Sequence, residues 1–362
     1  MLREVSCMRS SKMIKRFFKV IAVSLVFVLV QSAAAFALEP VMYGHWVKHD
    51  LKEQADIIDT VYLGTSKVYS SLDPKVIDAE LGSYSLNCGT ASQTVKGSYY
   101  YLRQLMTQAS IKQVIYDLSC YQFSEAKPED QDTLAHRMII LDRITDPIVR
   151  AQYIAGCFDI DELVNVFFPA YFYKNNTYSI IPTVKMKLSD TYRNYGYYES
   201  AENAHYDERG FIVMDRVATE QELVDNLDLN DYSNTFDKES IEYFDKMVQL
   251  CKDNDIELFL ISIPVTELLM KKTGNYDIYH NLFVSLAQKN NLKYYDFNFY
   301  KRRAAELKDT DYFENVHLNY GGAEKVSKWI GEVLSESKNG SDLSEDFYTS
   351  RTEVLQAIDA SK

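Results

Sequence analysis

Blocks of apolar and polar residues alternate along the chain in a way that separates strands from helices. Residues 57–63 (IIDTVYL) form a short β-branched and aromatic run closed by Gly64, which predicts a buried strand. Asp73-Pro74 then places an N-cap before a proline at the first helical position, and PKVIDAEL carries a helix to Gly82. Residues 83–87 predict a second strand running into Gly89. Tyr99, Leu102, Leu105 and Met106 recur at helical spacing within a helix from about 92 to 109, and 114–118 (VIYDL) predict a third strand. This alternation demands parallel strands joined by crossover helices.

The pattern breaks between 124 and 234, a Tyr-, Asn- and Asp-rich stretch read as an insertion or cap. It holds one helical run around 159–168 and a loop-like passage at 192–209. Alternation resumes at Asp237, an N-cap for a helix with Ile241, Phe244, Met247, Val248 and Cys251 on one face. A strand at 257–263, a helix at 277–289, a strand at 292–297 and a helix at 322–335 complete the series. The expected fold is α/β: a three-layer, doubly wound, parallel five-stranded sheet over 50–337, interrupted by 124–234 and followed by a loose polar tail, 338–362. A ligand should bind beyond the carboxyl ends of its strands.

The first residues follow a different logic. Arg3, Arg9, Lys12, Lys15, Arg16 and Lys19 precede an uncharged run from Val20 to Leu38, the layout of an export signal. Ala35-Phe36-Ala37 offers a signal-peptidase site, so 1–37 read as a cleaved signal peptide or, at ~1.5 Å rise per residue, as a signal anchor spanning the membrane. Either way the body is exported, to be extracellular or held at the outer face of the cytoplasmic membrane. The net charge of −13 divides accordingly: residues 1–19 carry +5, leaving −18 on the remainder. Such a body excludes simple nucleic-acid binding and favours a neutral or locally handled substrate over a polyanion.

Cys88, Cys120, Cys157 and Cys251 follow the apolar run with no C-x-x-C or Cys/His pairing, which favours free buried thiols over a single disulfide. The scattered histidines and carboxylates lack ligand-like spacing, so no metal and no cofactor are expected.

Candidate chemistry gathers at strand ends. Gly64-Thr65-Ser66 exposes a hydroxyl and an amide where a helix can begin, although a helix cap after a turn looks the same. Gly89 brings a second backbone N–H close to a ligand, or simply makes a turn. Near the C-terminus, Glu314 stands three residues before His317, a spacing that lets the acid orient the imidazole while the other ring nitrogen faces a nucleophile.

In that order the set resembles the SGNH (GDSL-type) hydrolase superfamily. LGTSKVYSSLDPKVID, YSLNCGTASQ, YYYLRQL and ENVHLNYGGAEKVSKWIGEVL are similar to its exported branch in Gram-positive bacteria, over 57–123 and 237–337. The resemblance implies a flavodoxin-like fold and a Ser66–His317–Glu314 triad, with the N–H groups of Ser66 and Gly89 as the oxyanion hole. It departs in three ways: Thr65 replaces the usual Asp, Glu314 replaces Asp, and no Asn follows the third strand. Ser119 or Gln122 is the substitute donor to consider there, and Asp311 the alternative acid. Lys67 reads either as steering an anionic substrate or as an ordinary solvated lysine. Asp296, Asp309 and Asp311 read as an acidic neighbourhood of the C-terminal loop.

The implied function is a serine esterase or O-acyltransferase acting on a cell-surface polysaccharide or other acylated glycan. The membrane would be met only through an uncleaved N-terminal segment. The alternative is a catalytically impaired SGNH-like binding or assembly protein of the envelope.

Overall fold

The computed structural model describes residues 2–126, 133–225, 227 and 232–361. The chain divides into two units, residues 1–42 with 158–196, and residues 43–157 with 197–362.

In the second unit the strands are β1 (Thr60–Leu63), β2 (Ser85–Asn87), β3 (Gln113–Asp117), β4 (Tyr198–Ala201), β5 (Ala204–Tyr206), β6 (Ile212–Met214), β7 (Glu257–Ser262) and β8 (Tyr294–Asp296). Five of them form one parallel sheet in the order β2-β1-β3-β7-β8. That is the doubly wound order with its switch between β1 and β3. Strand residues alternate between two buried faces. Tyr62, Ile115, Phe259 and Ile261 join Val326, Ile330 and Val333 of the helix Tyr320–Lys338 in one core cluster. Val61, Val114, Leu258 and Leu260 are buried too, and helices Val95–Met106 and Lys238–Asp253 pack together.

The capping signals were accurate guides. Asp73 caps Pro74–Leu81, which ends at Gly82 in the left-handed region, and Asp237 likewise caps its helix. The first strand begins later than expected because the amides of Ile57 and Ile58 donate to Gln54 O, in the turn that follows helix Gly44–Glu53.

The middle of the chain is not one cap. Helices Leu134–Arg143 and Pro147–Cys157 pack on Val95–Met106 within the main unit. The passage read as a loop at 192–209 instead carries β4 and β5, which pair with β6 as an antiparallel sheet; Tyr198 stacks on Trp46 at 4.1 Å. Only 158–196 leaves the main unit, and parts of 124–234 lie outside the described residues. The four cysteines are free as expected, with Cys88, Cys120 and Cys251 buried.

The C-terminal segment is not loose. Helix Arg351–Ser361 buries Val354 and Ile358, and the Arg351 guanidinium donates to Met270 O at 3.4 Å. Val354→Ala should therefore lower unfolding free energy by about 2 kcal/mol; a denaturant midpoint matching wild type would mean the segment contributes nothing.

Candidate active site

Gly64 closes β1 at φ +143°, a conformation that side chains rarely adopt, and a Cβ there would meet Val68 and Asp117. Thr65 caps the next helix, Ser66–Ser71, accepting from the Lys67 amide at 3.3 Å. Ser66 is its first residue, half-buried, and its N–H is one of the first-turn amides that no helical carbonyl can satisfy.

Residues 87–89 hold this helix in place. The Asn87 side-chain amide donates to the carbonyls of Val68 (2.8 Å) and Leu72 (2.9 Å), and its oxygen accepts the Gly89 amide at 3.1 Å. A Cβ on Gly89 would lie 2.9 Å from both Thr65 O and Tyr69 N, so only glycine permits this approach. The Gly89 N–H therefore has a partner inside the protein and does not stand open as the second oxyanion donor.

His317 enters from the other side, on the turn before helix Tyr320–Lys338. Phe313 N donates to His317 O at 2.9 Å, and Asn319 closes the loop by donating to Thr310 O at 2.8 Å. Within it, Glu314 Oε1 lies 2.5 Å from His317 Nδ1 and also accepts the His317 amide at 2.8 Å. Burial alone would raise the Glu314 carboxyl, but its hydrogen bond with His317, the imidazolium charge and the loop amides hold it below the ordinary glutamate range. His317 Nε2 is buried and makes no hydrogen bond. The Tyr69 ring lies nearly parallel to the imidazole, 6.2 Å away, and burial pushes its phenol well above the ordinary tyrosine range.

Asp311 is not the acid. Its carboxylate takes the Lys325 ammonium at 2.8 Å and the Lys308 amide at 2.9 Å. Nor does Asp296 belong to the His317 loop: it is buried at the end of β8, bound by Tyr276, Asn298 and the His280 Nδ1 at 2.8 Å.

The end of β3 differs most from expectation. Asp117 is fully buried, accepts the Ile263 amide at 2.9 Å, and pairs with Lys67 at 3.3 Å; only 12% of the Lys67 side chain is exposed. Lys67 is thus not a solvated surface lysine. Gln122 is occupied, accepting from Ser119 N at 3.0 Å and donating to Gln93 O at 2.8 Å, so it is no oxyanion donor. The Ser119 hydroxyl is 3.4 Å from Asp117 and faces the cleft.

One cleft at the carboxyl ends of the strands is lined by Ser66, Lys67, Ser119, Asn298, Glu314 and Val316, among others. The fold thus brings the predicted nucleophile and the acid of the His317 loop to one opening, while Gly89 and Asp311 serve elsewhere. Cys120 also lines it, but burial first of all pushes its thiol up to about 12, leaving a poor rival nucleophile. Tyr69 was missed in the sequence, although its position three residues after Ser66 on a helix was signal enough.

No family model and no curated protein matches the chain. Among solved structures it is similar to a proposed acylhydrolase of Bacteroides fragilis, at 12% identity and TM-score 0.36, covering 80% of this chain and 98% of that one. It is also similar to a GDSL-like lipase of Bacteroides thetaiotaomicron, at 10% identity and TM-score 0.35, covering 77% and 88%. Likeness at that level assigns neither residues nor activity.

Two outcomes follow from the charges. Lys67→Met should destabilise the protein by about 3 kcal/mol, because it strands a buried carboxylate, and adding Asp117→Asn should restore most of the loss; denaturant titration of both variants measures this. Glu314 has a depressed folded pKa, so its stabilisation is present above the ordinary glutamate range and disappears as pH falls through the folded value. Glu314→Gln should therefore be less stable than wild type at neutral pH, with the gap closing in acid, as midpoints measured across pH will reveal.

Proposed function

We propose that the chain is an exported SGNH-like serine esterase or O-acyltransferase acting on an acylated cell-surface glycan. One observation carries the reading: a histidine bound through Nδ1 to a partly buried carboxylate keeps its Nε2 unpartnered, on a loop that lines the same cleft as a serine at a strand-to-helix turn. In that chemistry His317 Nε2 takes the Ser66 proton as Oγ attacks the acyl carbonyl. Glu314 fixes the ring orientation and stabilises the imidazolium. The Ser66 N–H faces the developing oxyanion, and Lys67 and Ser119, both paired with Asp117 and both lining the cleft, are the polar residues offered in place of the missing asparagine. His317 returns the proton to the departing alcohol, and water or a sugar hydroxyl then takes the acyl group from Ser66. The glycan assignment draws on the export signal and the acidic body, which disfavours polyanions.

The second reading, a binding or assembly protein with little chemistry, draws on the engaged Gly89 amide and Gln122 side chain. Turnover separates the two. On O-acetylated oligosaccharides, Ser66→Ala and His317→Ala should each lower kcat/KM by roughly 10³-fold or more. If wild type is no faster than Ser66→Ala yet both bind the glycan equally, the enzyme reading fails.

A further inference from the structure

In the unit formed by residues 1–42 and 158–196, polarity runs inside out. The helix Leu2–Leu38 is exposed at every described side chain from Ile14 to Val30 and becomes partly covered only from Gln31 onward. What covers it is 158–196. Phe168 meets Phe27 edge-on at 5.9 Å, Asn176 Nδ2 donates to Leu38 O at 2.7 Å, and Lys187 Nζ donates to Phe36 O at 2.9 Å. Lys187 is itself buried, with its ammonium 3.9 Å from Glu39.

The outer side of the same segment is apolar. Ile160, Val164, Phe167 and Tyr171 recur at steps of four, three and four, and all are exposed, Ile160 at 90% and Phe167 at 64%. Tyr178, Ile181 and Leu188 form a second exposed series, whereas the covered positions between them are Thr183 and Lys187. Water selects the opposite arrangement, lysine outside and isoleucine inside. The segment is also aromatic-rich, with nine of 39 residues, and electrically neutral, its four basic groups matching its four acids within a strongly acidic protein.

We propose that the N-terminal helix is retained as an anchor and that 158–196 forms a collar seated in the outer interfacial layer of the same bilayer, with both apolar series turned to lipid. The bare stretch 14–30 spans about 26 Å at ~1.5 Å per residue, the lower end of a membrane crossing. Lys15, Arg16 and Lys19 reach back to the cytoplasmic headgroups along their aliphatic stems. Phe167, Tyr171 and Tyr178 supply the aromatic belt at the opposite interface. Cleavage after Ala37 would remove the Phe36 carbonyl to which Lys187 donates. The membrane is thus met by the collar as well as by the helix, independently of any chemistry at Ser66.

The test uses the full chain. Intact mass from the membrane fraction should correspond to a retained N-terminus; a chain starting at Leu38 overturns the proposal. Both native tryptophans, Trp46 and Trp329, are buried, so Phe167→Trp and Ile181→Trp give clean reporters. In phosphatidylcholine and phosphatidylglycerol vesicles containing brominated lipid, these variants should lose emission at least about twofold beyond wild type, as interfacial aromatics do. Val217→Trp, exposed in the main unit, should not. Quenching of Phe167→Trp and Ile181→Trp no greater than wild type, including the case where another protein shields them, overturns it.

Discussion

The site depends on how closely the chain around Gly89 approaches the helix that begins at Ser66. That helix is only six residues long, too short to hold itself. Thr65 caps its start, the Asn87 side chain satisfies its final carbonyls, and the bare Cα of Gly89 fits beneath its first turn. The support extends outward: Asn87 N donates to Arg209 O at 2.8 Å, and Gly210 packs so tightly that a Cβ would sit 1.9 Å from Asn87 O. The small antiparallel sheet therefore braces the serine turn from behind. The same economy explains why the Gly89 amide is not free, since the group that fixes the serine helix consumes it.

A buried charge pair is the second constraint. Asp117 at the end of β3 sits without solvent exposure and needs a cation, and Lys67 is the residue that the helix start can supply. A lysine beside the candidate serine thus has a structural reason to be there. Its ammonium nevertheless lines the cleft, so the charge that balances Asp117 also sets the electrostatics at the serine.

Much of this was legible in the sequence where local chemistry is decisive. Asp73-Pro74, Asp237 and Gly82 marked helix ends because capping depends on a few adjacent residues, and Glu314 with His317 closed as a three-residue spacing allows. What was hidden depends on contacts far apart in the chain. Nothing near Gly89 announces that Asn87 will take its amide, and nothing near Lys67 announces Asp117, fifty residues on. Asp311 and Glu314 are both plausible acids by spacing, and only Lys325 on the following helix decides between them. The tail looks loose in sequence because its polar and charged residues together outnumber its apolar ones, yet Val354 alone finds a fully buried place.

The central claim is that Ser66 is an activated nucleophile served by His317. Reaction of the purified protein with a fluorophosphonate, followed by peptide mapping, tests it most directly. The account predicts a single adduct on the peptide containing Ser66, lost in Ser66→Ala and strongly slowed in His317→Ala. No adduct, an adduct on another residue, or equal labelling of wild type and Ser66→Ala would contradict it.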